Sequence, residues 1–520
     1  MYKKILRNSL LTTLIILSGC TKDFPLNEIP IEEIFATITA DKSEIAVEPK
    51  TNSKFKISLS KAIDKDITIK YTIDGNASNG IDYSEISETA TIPANTLQIT
   101  IPILVIDDSN PEEIETVKIT LLTTSDDTVV LGSEKTALVY IHNEPEEFLL
   151  SPQEAKFHIV NPNASSATVS LFYNLKKIAR TSFIVGQQDA FSSFYNDNIG
   201  LSDVKKTTGS DPGLLGSDFM FITDDKNNGA TDNWFFKQES SIVEDVIEAY
   251  NKGIVNTFSW HLREPYEGLE FYTDKLTDFQ KNNAFKSILP GGENHEYYKT
   301  KLDKIAKVTK SLVGSDGELI PIIFRPFHEF DGDWFWWGGA YCTPEQYISL
   351  WRFTVNYLKD DKGVNNMLFA FCPDKDFDSV AEYLSRYPGD DFVDILGMDN
   401  YGDFKDQGAM GLEEANSKLQ IISSLAKDRI KIAALTESCY FVKQGETTKI
   451  PEFYSKNLYN ALSENNVQIG YMMFWFNNKD EYCTPPPGES TTDDFLLFTN
   501  SPRSLLLNEL PDLYAPINEL

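Results

Sequence analysis

From residue 183 onward, short apolar runs alternate with stretches of helical spacing, and this alternation leaves the chain few possible folds. The runs are "FIVGQQD" (183–189), "FMFITD" (219–224), "IVNTFSWHL" (254–262), "PIIFRPFHE" (321–329), "NMLFAFCP" (366–373), "DILGMDNY" (394–401), "KIAALTE" (431–437) and "GYMMFWFN" (470–477). Between them lie "SIVEDVIEAYNKG", "HEYYKTKLDKIAKVTKSL", "TPEQYISLWRFTVNYL", "GLEEANSKLQIISSLAKD" and "PEFYSKNLYNAL", with apolar residues at helical intervals. Eight buried strands alternating with helices predict a (β/α)8 TIM barrel with enlarged loops. A doubly wound open sheet is the competing arrangement, but no Gly-rich phosphate loop follows the first run.

A barrel of this kind carries its site at the C-terminal ends of its strands. Those ends read Gln188-Asp189, Asp224, Trp260-His261, His328-Glu329, Asp374, Asp399-Asn400-Tyr401, Glu437 and Trp475. Polar and aromatic groups therefore converge on one face. Glu329 ends the fourth run and Glu437 the seventh, so they face each other across the mouth. Retaining glycosidases need two carboxyls about 5–5.5 Å apart, one as nucleophile and one as acid/base. The segment "IIFRPFHEFDGDWFWWGGA" (322–340) adds His328 and three of the seven tryptophans, Trp334, Trp336 and Trp337. Indole faces stack on the C–H surfaces of sugar rings, although Trp336 and Trp337 serve equally well as barrel packing. Arg325, four residues before Glu329, is expected on the same strand face and in a pair with a carboxylate. Asp189 and Asp399 are expected to orient the site. Gln188 and Trp260 join the candidate substrate contacts, and His261 is read either as a contact or as a core histidine.

The stretches "FIVGQQDA", "SWHL", "ILPGG", "PIIFRPFHEFDGDWFWWG", "TPEQYISLW", "YPGDDFVDILGMDNYG", "LTE" and "FWFN" resemble glycoside hydrolase family 26. They span roughly residues 180–480 and keep the family's order. The resemblance implies a retaining TIM-barrel enzyme, most often a β-mannanase, with Glu329 as acid/base and Glu437 as nucleophile. It places His261, His328, Trp334, Tyr401 and Trp475 around the sugar, Tyr401 on the nucleophile and Trp475 as floor. It implies no cofactor. The expected partner is β-mannan or manno-oligosaccharides and the expected activity an endo-β-1,4-mannanase. The alternatives are a glycanase on β-1,3-xylan or mixed-linkage β-glucan, an exo-acting mannobiohydrolase, and a non-catalytic glycan-binding lipoprotein. The last would need the aromatics but not the carboxylate pair.

Ahead of the barrel, residues 31–147 have an all-β texture. Runs such as "KFKISLS" (54–60), "DITIKYTI" (66–73), "LQITIPILVI" (97–106) and "ETVKITLL" (115–122) are separated by turn residues, the pattern of an immunoglobulin-like sandwich. The segment "NGIDYSEISETATIPANTLQITIPILVIDD" followed by "EEIETVKITLL" resembles a Calx-β domain. That resemblance makes Asp82, Asp107, Asp108, Glu112 and Glu115 candidate calcium ligands, with solvated loop acids as the simpler reading.

Residues 1–19 read as a lipoprotein signal peptide: Tyr2-Lys3-Lys4 and Arg7 are followed by an apolar run too short to span a bilayer. "LSGC" (17–20) resembles a bacterial lipobox, which makes Cys20 the lipidated residue, residues 20–30 a tether, and 148–520 the catalytic domain. The expected location is the outer membrane of a bacterium, facing either side. A formal charge of −31 excludes nucleic acid as a partner; a monomer is expected. Cys342, Cys372, Cys439 and Cys483 allow three fully paired connectivities, and buried free thiols remain open. Cys20→Ala is expected to move the protein from the membrane to the soluble fraction; continued membrane association on fractionation would remove Cys20 as the anchor.

Overall fold

The computed structural model describes residues 33–40, 46–47, 52–106, 115–142, 150–405 and 407–515. The signal, tether and Cys20, and the acids Asp107, Asp108 and Glu112, lie outside the described residues.

The N-terminal region comprises β1 (Ile34–Ala40), β2 (Ala46–Val47), β3 (Ser53–Leu59), β4 (Ile67–Asp74), β5 (Thr89–Ile92), β6 (Gln98–Ile103), β7 (Glu115–Thr124), β8 (Val129–Leu131) and β9 (Thr136–His142). They form a four-stranded sheet, β6-β3-β1-β8, and a five-stranded sheet, β2-β9-β7-β4-β5. Alternate residues of both, such as Phe55 and Ile57 from one and Ile69 and Val117 from the other, enter a shared apolar core. The strands thus bury one face and wet the other, as their alternating sequence requires. Of the calcium candidates within the described residues, Asp82 accepts a 2.5 Å hydrogen bond from the Ser78 backbone N–H and so closes a local turn. Glu115 opens β7.

The second region is a closed parallel barrel. Its strands are β10 (Phe183–Gln188), β11 (Leu214–Asp218), β12 (Val255–Ser259), β13 (Ile322–Arg325), β14 (Met367–Phe371), β15 (Ile395–Asp399) and β16 (Ile432–Ser438). After a short ribbon strand β17 (Val442–Lys443) comes the eighth, β18 (Tyr471–Phe474). Each pairs with the next in parallel, β16 pairs with β18, and β10 closes the ring onto both β18 and β11. The helices fall where the apolar spacing places them. Thr343-Pro344-Glu345-Gln346, for instance, starts the helix Pro344–Asn356 with a reciprocal capping box and proline in the first turn.

One expectation fails. The run 219–224 is not the second strand: β11 is the preceding "LLGSD", and Met220–Thr223 is a single helical turn. Asp218, not Asp224, is therefore the acid at that strand's end. Asp224 instead pairs with Arg263 at 2.6 Å.

Along most of each strand, side chains alternate between two layers. Val185, Phe258, Ile322, Phe324, Phe369 and Met398 pack outward on the helices. Ile184, Leu214, Val255, Ile323, Ala370, Ile395 and Tyr471 point inward. The inward layer is crowded: a Cβ on Gly216 would overlap Gln188 Oε1. The same two-residue period turns Asp218, Arg325, Asp399 and Trp475 to the inside at the strand ends.

Cys439 and Cys483 form a disulfide with a Cα–Cα distance of 5.3 Å, while Cys342 and Cys372 are buried free thiols. The bridge ties the segment after β16 to the segment after β19 (Glu481–Tyr482), which pairs with β17. It spans 44 residues. Replacing both cysteines by serine is expected to lower unfolding free energy by about 2–4 kcal/mol, read from denaturant titration. An unchanged midpoint and slope would show that the bridge adds nothing to stability.

Candidate active site

The site forms where β13, β15 and β16 end. Arg325 is fully buried in the barrel. Its Nη1 donates to Asp399 Oδ1 at 3.2 Å and its Nη2 to Glu437 Oε1 at 2.5 Å. Tyr401 Oη donates to Glu437 Oε2 at 2.9 Å, and Thr436 Oγ1 to Asp399 Oδ1 at 2.6 Å. Both oxygens of Glu437 thus accept strong donors, the setting of a carboxylate anion. Burial and the neighbouring Glu437 charge push Asp399 well above the usual carboxylate range, against the opposing pull of Arg325.

Glu329 is placed differently. β13 ends at Arg325, and the chain then turns through positive φ at both Phe327 and Glu329, each at 52°. The left-handed backbone is uncommon for such residues and is a form of strain found at functional sites. Arg325 and Glu329 therefore do not share a strand face. Arg325 serves Glu437 and Asp399 instead. Glu329 Oε2 accepts from Trp334 Nε1 at 2.6 Å. Gly332 makes room for this, because a Cβ there would overlap the Trp334 ring. Burial, then the charges of Asp399, Glu437 and Asp374, raise Glu329 well above its ordinary value, against the Trp334 bond. Asp374 itself is pushed up to about 7 by burial and Asp331.

Two histidines stand beside the carboxylates, their rings 4.8 Å apart and nearly perpendicular. His261 Nδ1 lies 2.5 Å from Asp218 Oδ2. Burial pulls the His261 pKa down, but Asp218 outweighs it and the net shift is upward. His328 is held well below the usual range by burial and by the charges of His261 and Arg325. Its Nδ1 is buried with no partner among the described residues. Trp475 is half-buried, with its ring 6.1 Å from that of His261.

The remaining expectations divide. Trp336 and Trp337 are fully buried and donate to the Leu262 and His328 carbonyls at 2.8 Å, so they are packing. Trp260 is a correction. It is 1% exposed, its Nε1 donates to Thr223 Oγ1 and its ring packs on Tyr298, so it shows no face to a ligand. The strand period explains this: Phe258 and Trp260 both point at the helices. Gln188 is likewise buried and its Nε2 donates to Asp189 Oδ1 at 3.2 Å; it supports Asp189 rather than a substrate. Asp189, in left-handed backbone at φ 49°, is pushed up to about 7 by burial and the Asp218 charge. Sequence reading missed Asp218, which the end of the short run "LLGSD" would have revealed.

His328, Asp399 and Glu437 bring ligating atoms within 4.8 Å of one another, the one such trio among the described residues. Arg325 already supplies the positive charge for both carboxylates, so the trio does not fit a metal ion.

A closed parallel barrel with two buried glutamates in unlike settings, ringed by histidine, tyrosine and tryptophan at the strand ends, is the site of a glycoside hydrolase. The family model described as Glycosyl hydrolase family 26 matches residues 160–461, and the chain belongs to that family. It is 33% identical over 369 residues to a mannan endo-1,4-beta-mannosidase of Bifidobacterium adolescentis, a match covering 68% of this chain and 36% of that protein. Among solved structures, GH26C from Muricauda sp. MAR_2010_75 is 62% identical, with a TM-score of 0.71, over 71% of this chain and 99% of that one. The β-mannanase BoMan26A from Bacteroides ovatus is 32% identical, with a TM-score of 0.59, over 67% of this chain and 97% of that one.

The His261 arrangement can be tested alone. In Asp218→Asn the carboxylate charge is gone and burial is opposed only by the weaker pull of Glu437, so the imidazole pKa should fall. NMR titration of the five histidines should show one resonance moving down; an unmoved His261 would refute the pairing.

Proposed function

We propose that the chain is an exported, lipid-anchored endo-β-1,4-mannanase that cleaves with retention of configuration. The observation that carries the reading is the opposite treatment of the two glutamates. Glu437 accepts from Arg325 and Tyr401, which suits an anionic nucleophile attacking the anomeric carbon. Glu329, buried and raised, suits a proton donor to the departing glycosidic oxygen. In the second step Glu329 takes a proton from water, and that water displaces Glu437 from the sugar.

Mannan is favoured because relatives bearing the name mannan endo-1,4-beta-mannosidase match across the barrel. A site built to bond an axial 2-hydroxyl penalises an equatorial one, since its polar groups are then left unpaired. The signal and "LSGC" support export and anchoring through Cys20, and the Calx-β-like sandwich reads as a spacer between membrane and barrel.

Glu437→Ala is expected to lower kcat by about a thousandfold or more. Glu329→Ala should spare the first step on activated aryl glycosides, and added azide should then restore turnover; equal losses on good and poor leaving groups would overturn the assignment. The pH profile follows from the raised Glu329. It must hold a proton to act, so its contribution is lost as pH rises through its pKa. Glu329→Gln should remove that basic limb for activated substrates. Sizing early products from linear mannan, galactomannan, β-1,3-xylan and mixed-linkage glucan tests the substrate. A ladder of manno-oligosaccharides supports the proposal; a lone disaccharide indicates attack from chain ends, and activity on xylan or glucan alone sinks mannan.

A further inference from the structure

Between β15 and the helix Ala409–Asp428 the chain makes a turn that carries Tyr401, whose Oη donates to Glu437. The turn is closed on itself. Asp403 N–H donates to Asn400 Oδ1 at 3.1 Å, and Asn400 Nδ2 donates back to Asp403 Oδ2 at 2.9 Å. Only Tyr401 and Gly402 lie between these two residues. Gly402 passes under the Lys375 side chain, where a Cβ would overlap Lys375 Cε.

Both ends of this turn are tied to the barrel. Asn400 N–H donates to the Glu437 carbonyl at 2.9 Å, so the backbone of Glu437 holds one end. The helix holds the other: Lys418 Nζ donates to Asp403 Oδ2 at 2.6 Å. Turn and helix are in close contact, because a Cβ on Gly411 would overlap the Asp403 carbonyl oxygen. Asn400, Asp403 and Lys418 are all buried. One oxygen, Asp403 Oδ2, therefore receives both the Lys418 ammonium and the Asn400 amide.

Resting on the reading of Glu437 as nucleophile, we propose that Lys418 and Asp403 are positioning residues for the glycosidase reaction. Through Asn400 and the closed turn they hold Tyr401 Oη on Glu437 Oε2. A carboxylate buried away from water needs a partner, and an ammonium reaching it from a neighbouring helix gives a strong, directed bond. With the ammonium removed, Asp403 is left as an uncompensated buried charge. The turn then loses what fixes its far end, and Tyr401 loses its set place. Lys418 bonds Asp403 rather than Glu437, so its effect on the reaction passes through the Tyr401 hydroxyl.

The test is a double-mutant cycle on kcat/KM for an activated aryl β-mannoside, which reports the attack by Glu437. With Tyr401 present, Lys418→Met is expected to lower kcat/KM by about tenfold. In Tyr401→Phe, which has no hydroxyl left to position, the same substitution should lower it by less than about twofold. Misfolding reduces the active fraction by the same factor in both backgrounds, so it cannot produce that difference. Asp403→Asn, which keeps the size of the side chain, gives the same comparison if Lys418→Met does not fold. Equal losses in the two backgrounds, or no loss in either, overturn the proposal. Unchanged activity in Glu437→Ala refutes instead the nucleophile reading on which it rests.

Discussion

The buried guanidinium of Arg325 is the constraint on which the site depends. It sits fully buried inside the barrel and is bonded to Asp399 and Glu437 from two other strands. Taking charged groups out of water is costly, and removing one partner from a buried ion pair typically costs about 3–5 kcal/mol because the other remains buried. The cluster therefore adds little net stability. What it does is lock geometry: the planar fork offers donors in fixed directions, so Glu437 is held on one side and Asp399 on the other. Thr436 and Tyr401 complete the bonding of these oxygens.

The same burial has opposite consequences a few residues away. Glu329 shares the dry environment but not the guanidinium; its donor is the neutral Trp334 indole. Burial, then the nearby charges of Asp399 and Glu437, raise its affinity for a proton. The histidines repeat this logic. His261 has the Asp218 carboxylate beside it and is raised, whereas His328 faces His261 and Arg325 and is lowered. One small pocket thus shifts two neighbouring imidazoles in opposite directions.

The aromatic segment 334–337 divides its work in the same way. Trp336 and Trp337 fix the loop to the barrel by donating to backbone carbonyls, which leaves Trp334 free to reach Glu329. A sequence rich in tryptophan near a glutamate is therefore only partly a sugar-binding surface. Trp336 and Trp337 hold the backbone next to Glu329, which adopts a left-handed conformation.

By itself the amino-acid sequence determined the barrel and the two-sheet region before it, and it pointed to Glu329 and Glu437 at the ends of the fourth and seventh runs. Apolar runs, helix spacing and turn residues are local, and local patterns survive without coordinates. It also held more than was read from it. A strict two-residue period from Phe258 would have turned Trp260 outward, and "LLGSD" would have supplied Asp218. Other features only the tertiary structure decided. The inward layer of β16 contains Ile432, Ala434 and Thr436, so strict alternation would point Glu437 at the helices. The register shifts between Leu435 and Ser438, and Glu437 then reaches Arg325 across the barrel. Likewise the Cys439–Cys483 pairing and the seating of Tyr272 on Phe335 join segments with no shared sequence signal. Long-range register and loop docking are set by how the closed barrel packs, and no local pattern encodes them.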